Sequence, residues 1–441
     1  MLARAITLHR APLLYAQQPV VQLTLRHMME LGQSAWLDQS RLIYSAEFVR
    51  EELPKRLARR LMDLQLLPYI VVTNPNIKQV YDCYYHAFNA LRTFPPIKSL
   101  SDNEHFSQVL RRLVDEHAPM LDYLASGLRE CRRKPVVGQQ LALDSFLDNM
   151  LRSRISRRVL AEQHINLHNG RQAGEAGRGA GYIGVVALDL HIADSVDLAA
   201  GRCRQVCIET YGVAPDVIVS GDTSLTMPYI PAHLDYMLYE LLKNSARAVV
   251  ERDLKQQQQQ QRGGAARPVG GGGSSGRWGH RLPPILVRIC NSEEQVTIRI
   301  SDQGGGIPKE DVEQVWQYGF TTTDASPRAS GGASGEGLGM DNQPPSAVSS
   351  LPLGMEAAGG GAGLRRWRMA GLGFGLPLSR LYARYFGGDL SFVNMAGYGV
   401  DAFLTLQRLD SDWQETDSAV GVEPLVNTSA GVTEAAAGVV Q

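Results

Sequence analysis

Glu240 and Asn244 stand one helical turn apart in HLDYMLYELLKNSARAVVE, a stretch with clear helical spacing. Leu234, Met237, Leu238, Leu241, Leu242, Ala248 and Val249 make its apolar stripe; Tyr236, Glu240, Lys243, Asn244 and Arg247 fall on the other face. A carboxylate so placed can take a proton from a nucleophile. An amide oxygen one turn on is a hard donor of the kind Mg²⁺ accepts beside phosphate oxygens. Taken alone, such a face more often is simply solvated. A second block, ISDQGGGIP, ends a strand at Asp302 and follows it with Gly304, Gly305 and Gly306. Glycines let a ligand approach the main chain, and the carboxylate could accept from the exocyclic amine of adenine. Its commoner meaning is an Asp-initiated turn. The third block is GLGFGLPLSRLYARYFGGDL, in which Gly371, Leu372, Gly373, Phe374, Gly375 and Leu376 lead into a helix. Main-chain N–H groups at a helix start favour phosphate. By itself the GxGxG is weak, since it matches neither the dinucleotide GxGxxG nor the P-loop spacing.

These blocks need a scaffold, and the rhythm of the chain supplies two kinds. From about residue 34 to 170 it is helical: EFVREELPKRLARRLMDLQLLP, IKQVYDCYYHAFNALRTFPP, HFSQVLRRLVDEHAPMLDYLASGLRECRRKP and QQLALDSFLDNMLRSRISRRVLAEQHINLH are four long amphipathic stretches. They predict a four-helix bundle over 34–178. After Gly181, VVALDLHIADSV and DVIVSGD alternate like strands. ILVRICN and QVTIRISD read as a hairpin with Ile298 and Ile300 on one face and Arg299 and Ser301 on the other. With helices over 232–254 and 374–386 between the strands, 179–410 reads as an α/β sandwich with a mixed sheet. The fold class is therefore α+β with two domains. Low-complexity inserts at 256–276 and 326–363 cannot bury enough apolar surface to fold and are expected to be mobile loops. Residues 411–441 form a tail without periodicity.

Composition narrows the class. Lys and Arg number 44 against 45 Asp and Glu, which argues against nucleic-acid binding through the whole surface. No stretch reaches the roughly 18–20 apolar residues of a membrane span. Five cysteines, an odd number, fit a reducing compartment better than a disulfide framework. Cys203 and Cys207, one turn apart, could bind metal, but core thiols are the simpler reading. Met1 to Met29 carries Arg4, Arg10 and Arg26 and no acidic residue, so 1–33 is expected to be a mitochondrial presequence, although it is poor in Ser. The 44 glycines are about 10% of the chain against a usual ~7%, and much of that excess lies in the inserts.

The order of the blocks is more specific than any one of them. A helix with Glu and Asn, then a strand-end DxGxG, then GxGxG opening a helix resembles the ATP-binding domain of DNA gyrase, heat-shock chaperone ATPases, sensor histidine kinases and MutL. The words ELLKNSARAVVE, ISDQGGGIP, GFGLPLSRLYARYFGGDL and GYGVDAFLTL, with REELPKRLARRL, LPYIVVTNPNI, FPPIK and ISRRVLAEQHINLH, resemble the mitochondrial α-ketoacid dehydrogenase kinases over about residues 40–410. That family comprises the pyruvate dehydrogenase kinases and the branched-chain α-ketoacid dehydrogenase kinase. The resemblance implies a matrix enzyme that phosphorylates and inactivates the E1 subunit on serine with Mg-ATP. It also implies docking through the helical half to a lipoyl domain of E2, and a homodimer through the ATP-binding half. Residue by residue, it implies Glu240 as general base, Asn244 as Mg²⁺ ligand, and Lys243 and Arg247 in the same nucleotide segment. Asp302, Gly304 and Gly306 would surround adenine, Thr321 and Thr322 would lie at the lid edge, and Gly371 through Leu376 on the phosphate side.

One departure bears on the substrate. The pyruvate-type kinases carry His one turn before the Glu; here Tyr236 stands there, as in the branched-chain kinase. FPPIK and LASGLRECRRK lean the same way and SRLYARYFGGDL leans toward the pyruvate enzymes, so the branched-chain type is favoured. His117 invites comparison with a phosphohistidine, although a helical His is usually structural. Asp412 and Trp413 offer a weak parallel to a C-terminal docking pair. Two other functions stay open: a histidine kinase or stand-alone ATPase using the same site, and a catalytically silent E2-binding protein.

Overall fold

The computed structural model describes residues 11–132, 143–172, 181–262, 282–320 and 373–408. Its N-terminal half is helical: α1 (Leu25–Leu37), α2 (Gln39–Gln65), the single turn α3 (Tyr69–Val72), α4 (Pro75–Arg92), α5 (Leu100–Glu116), α6 (Met120–Arg132) and α7 (Leu143–Gln172). Start signals explain the boundaries. Asp38 accepts from the Ser40 N–H at α2, Asn74 from the N–H groups of Asn76 and Ile77 at α4, and Ser99 with Asp102 forms a capping box at α5. Leu53, Leu57, Leu61 and Leu64 on α2 are buried, as their spacing predicts. Each contributes on the order of 2 kcal/mol of apolar burial.

A four-helix bundle is too simple a description of this half. The third predicted stretch is two helices, α5 and α6, because Pro119 has no N–H to continue the ladder and His117 caps the first. An additional helix, α1, packs on α2 and α7. The expected presequence also looks different at its C-terminal end. Ala16, Leu23, Leu25 and Met28 belong to the core, the Val21 N–H donates to Glu52 at 3.1 Å, and Arg56 Nη2 donates to the Val21 carbonyl at 2.6 Å. Residues 11–33 are thus part of this fold.

The second half holds β1 (Tyr182–Ile183), β2 (Val186–His191), α8 (Ile192–Tyr211), β3 (Val217–Gly221), β4 (Thr226–Tyr229), α9 (Pro231–Arg262), β5 (Ile285–Asn291), β6 (Gln295–Ser301), α10 (Gly375–Tyr385), β7 (Asp389–Met395) and β8 (Gly399–Gln407). The main sheet has the order β3-β5-β6-β8-β7; β3 and β5 are parallel and the other neighbours antiparallel, so it is mixed. A second, smaller sheet has the order β1-β2-β4. The β5–β6 hairpin pairs Val287 with Ile300 and Ile289 with Ile298, all four buried, while Arg299 and Ser301 are only partly covered.

Two elements differ from the sequence reading. The alternation of VVALDLHIADSV stops at His191, and IADSV opens α8, whose end is set by left-handed Gly212 at φ 77°. Short apolar runs do not separate strand from helix, and this one spans both. The glutamine tract is the second difference: Gln256–Gln261 continue α9 to Arg262 and are not a loop. Glutamine is a good helix former, and the first glycines come only at 263. The rest of that insert and the whole of 326–363 lie outside the described residues.

Charge inside the helical half gives a pH signature. Arg158 Nε holds Glu162 at 2.7 Å on α7, yet burial pushes the Glu162 carboxyl up to about 7 from its usual 4.5. A raised acid stabilises fully below about 4.5, and that contribution is lost as the pH rises through about 7. Partly buried His117 and buried His164 and His233, each held down to about 3 by desolvation, act in the opposite sense as the pH falls below about 6.5. The difference in melting temperature between wild type and Glu162→Gln is therefore expected to favour the variant increasingly from pH 4.5 to 7. A flat difference across that window would refute the assignment.

Candidate functional site

The α9 helix carries the site along one side. Glu240 is only 12% exposed and Lys243 7%, and Lys243 Nζ donates to Glu240 Oε1 at 2.5 Å. The ammonium also sits 5.3 Å from the ring of Tyr239. The polar face predicted to be solvated is therefore partly roofed, and α10 forms the roof. The Tyr236 ring lies 5.3 Å from that of Tyr382, and burial followed by the neighbouring Glu240 charge raises the Tyr236 phenol well above its usual value. Asn244 is exposed one turn beyond Glu240, leaving its amide free to meet a ligand. Arg247 Nε is bound to Glu251 at 2.8 Å and does not join the Glu240 pair.

Asp302 directly follows β6 and is 6% exposed. Ser245 Oγ donates to its Oδ2 at 3.0 Å, and the N–H groups of Gly304 and Val400 donate to Oδ1 at 2.8 and 3.3 Å. Burial, outweighing these bonds, raises its carboxyl above the ordinary aspartate value. An ionised carboxylate has about four acceptor positions, so three donors leave room for one more. The turn lies close on α9: a β-carbon at Gly304 would stand 2.3 Å from that of Ala248. Gly306 lies against the Asn394 amide and the Met395 carbonyl.

The third block meets the first. A β-carbon at Gly375 would be 2.1 Å from Glu240 Oε2, so α10 begins with its main chain against the carboxylate, an approach open only to glycine. The Gly373 carbonyl accepts from the Gly319 N–H at 3.0 Å. Phe374 packs on Tyr318 at 5.3 Å, and Leu376 is partly buried. Tyr318 in turn donates to Asp148 of α7, tying this corner to the helical half. Gly371, Leu372, Thr321 and Thr322 lie outside the described residues, as do Asp412 and Trp413.

The structure thus brings Gly375 to the Glu240–Lys243 pair on α9 and seats Asp302 and Gly304 on the same helix at Ser245 and Ala248, with Asn244 exposed between them; Gly306 lies at the end of β7 and Gly373 against Gly319 and Phe320. A proton acceptor, an oxygen donor and lone main-chain approaches suit an adenine nucleotide with its metal. Ser245, Tyr318 and Asn394 were not legible in the sequence; the only trace of Ser245 was a hydroxyl inside an apolar stripe. His117 lines a separate cavity in the helical half with Tyr84, Arg154 and Arg157, and burial holds it neutral. Cys203 and Cys207 are buried thiols, pushed up to about 12 and about 11 by burial. Among the described residues no cluster of three His, Cys, Asp or Glu could hold a metal, and no helix is long and apolar enough to cross a membrane.

Comparison with known proteins fits this geometry. Residues 22–187 match the model of mitochondrial branched-chain α-ketoacid dehydrogenase kinase, and 230–342 match the histidine kinase-, DNA gyrase B- and HSP90-like ATPase. A mitochondrial pyruvate dehydrogenase (acetyl-transferring) kinase of Arabidopsis thaliana is 34% identical over 392 residues, 89% of this chain and 91% of that one. The chain belongs to the mitochondrial α-ketoacid dehydrogenase kinase family. It is an ATP-dependent protein kinase with the gyrase-type nucleotide domain. A kinase of the same name from Schizosaccharomyces pombe is 29% identical over 91% of this chain and 97% of its own. Human isozyme 4 is also 29% identical, over 88% of this chain and 82% of its own. The family name agrees with a mitochondrial location.

Proposed function

We propose that this kinase transfers the γ-phosphoryl group of Mg-ATP to a serine of the E1 subunit of an α-ketoacid dehydrogenase complex and thereby inactivates it. The observation that supports this best is Glu240 held by Lys243 and set against the start of α10, with Asp302 seated on the same helix through Ser245. In this reading Glu240 takes the serine proton, the serine oxygen bonds to the γ-phosphorus, and ADP leaves with the electrons of the broken P–O bond. Asn244 would hold Mg²⁺, which would supply charge neutralisation. Asp302 accepts from the adenine amine, and the main chain at Gly373 to Leu376 faces the phosphates. Phosphoryl transfer needs positioning and charge more than covalent help, which suits so small a set.

The named relatives support the pyruvate complex as the substrate. Tyr236 supports a second reading, the branched-chain complex, which the sequence words favoured. The helical half would dock the lipoyl domain of E2, and two copies would pair through the ATP-binding half. The location would be the matrix, with the import leader confined to residues before Ala11, because 11–33 are packed. Purified protein with Mg-ATP, E2 and E1 from each complex decides among these. Phosphoserine on pyruvate E1 alone supports the first reading, and on branched-chain E1 alone the second. Phosphate only on a histidine of this protein, or E2 binding without any transfer, would overturn both.

A further inference from the structure

We propose that Arg252 is a positioning residue for the turn after Asp302, clamping it for the adenine end of the nucleotide. Arg252 lies one turn beyond Ala248 on α9. Its Nη1 donates to the carbonyls of Gln303 and Tyr398, each at 2.7 Å, and its Nη2 to the carbonyl of Gly397 at 2.9 Å. Gln303 sits inside the Asp302 turn; Gly397 and Tyr398 belong to the bend between β7 and β8. The two loops also grip each other, with Gly305 N–H to Tyr398 O at 3.0 Å and Gly397 N–H to Gly305 O at 2.8 Å.

Three carbonyl oxygens converging on one point repel unless a cation stands among them. A guanidinium does this with fixed, forked donors, whereas an ammonium brings a single point of donation. The arginine stem adds packing, its Cδ lying 3.6 Å from where a β-carbon of Gly305 would be. These bonds reach the main chain of the turn and not the Asp302 carboxylate. Arg252 therefore acts through the backbone that carries Asp302, Gly304 and Gly306. The consequence for nucleotide rests on the ATP-site reading above; the clamp itself does not.

Arg252→Met keeps most of the stem and removes every donor. Its KM for Mg-ATP is expected to rise about tenfold, the scale of one lost charge-assisted bond, with kcat at saturating ATP changed less than about twofold. Arg252→Lys should fall between wild type and Met. In the nucleotide-free full-length chain, amide exchange at Gly305 and Gly397 should speed up while Leu241 and Leu242 on α9 stay protected. Wild-type exchange at those two glycines would overturn the clamp. A kcat that falls while KM is unchanged would overturn its part in nucleotide binding. Failure of the unmodified protein to bind ATP would instead remove the ATP-site reading, with the exchange measurement still deciding the clamp.

Discussion

Glu240→Gln is expected to lower kcat by about 10²–10⁴-fold, the usual worth of a positioned base, while the Kd for Mg-ATP moves only a few-fold. The amide keeps the shape that fits against Gly375, where the space is tightest. It also keeps an oxygen for the Lys243 ammonium, bound at 2.5 Å in the native pair. What it cannot do is accept a proton from the substrate hydroxyl. The measurement is a pair: single-turnover transfer to E1, and calorimetric ATP binding to the same preparation. If binding collapses along with transfer, Glu240 holds nucleotide and some other group is the base. A carboxylate wedged between a lysine and a glycine main chain has few rotamers left, which is how a base is kept aimed.

Asp302→Ala should remove nucleotide binding, raising the Kd by about 100-fold or more, because two effects act together. The proposed acceptor for the adenine amine disappears. The Ser245 hydroxyl and the N–H groups of Gly304 and Val400 also lose their shared partner, so the turn loosens. Leaving buried donors unpaired costs about 1–3 kcal/mol, so the melting temperature should fall as well. Asp302→Asn separates the effects, since one amide oxygen can keep the turn while the amide nitrogen confronts the adenine amine donor-to-donor. Calorimetry on both variants is the check. An Asn variant that binds ATP as tightly as wild type would show that Asp302 shapes the turn and does not touch the base.

The residues proposed to do chemistry were the most legible part of this chain. Glu240, Asp302 and Gly375 each sit in a block with a commoner structural meaning, but the order of the blocks is specific, and the fold brings all three to α9. Their surroundings were harder to read. Helical periodicity separates an apolar stripe from a polar face, but it cannot say that the start of α10 will close on Glu240 or that Lys243 on that face is buried. Local pattern also failed where one short run served two elements, as at His191, where β2 passes straight into α8. Arg252 and Ser245 escaped notice for a related reason. Each is an ordinary polar residue whose partners, Gln303, Gly397, Tyr398 and Asp302, are distant in sequence and adjacent only in the fold. The basic leader reading of 1–33 rested on charge, which says nothing about burial of Leu23 and Met28.

The glutamine run at the end of α9 is helix. In a coil, a tract of identical residues can change in number with little effect, since its ends wander. In a helix, every glutamine gained or lost shifts the exit by about 1.5 Å and swings it by about 100° around the axis. The repeat is thereby a dial: two chains differing by two glutamines would launch the following segment from opposite sides of the same helix.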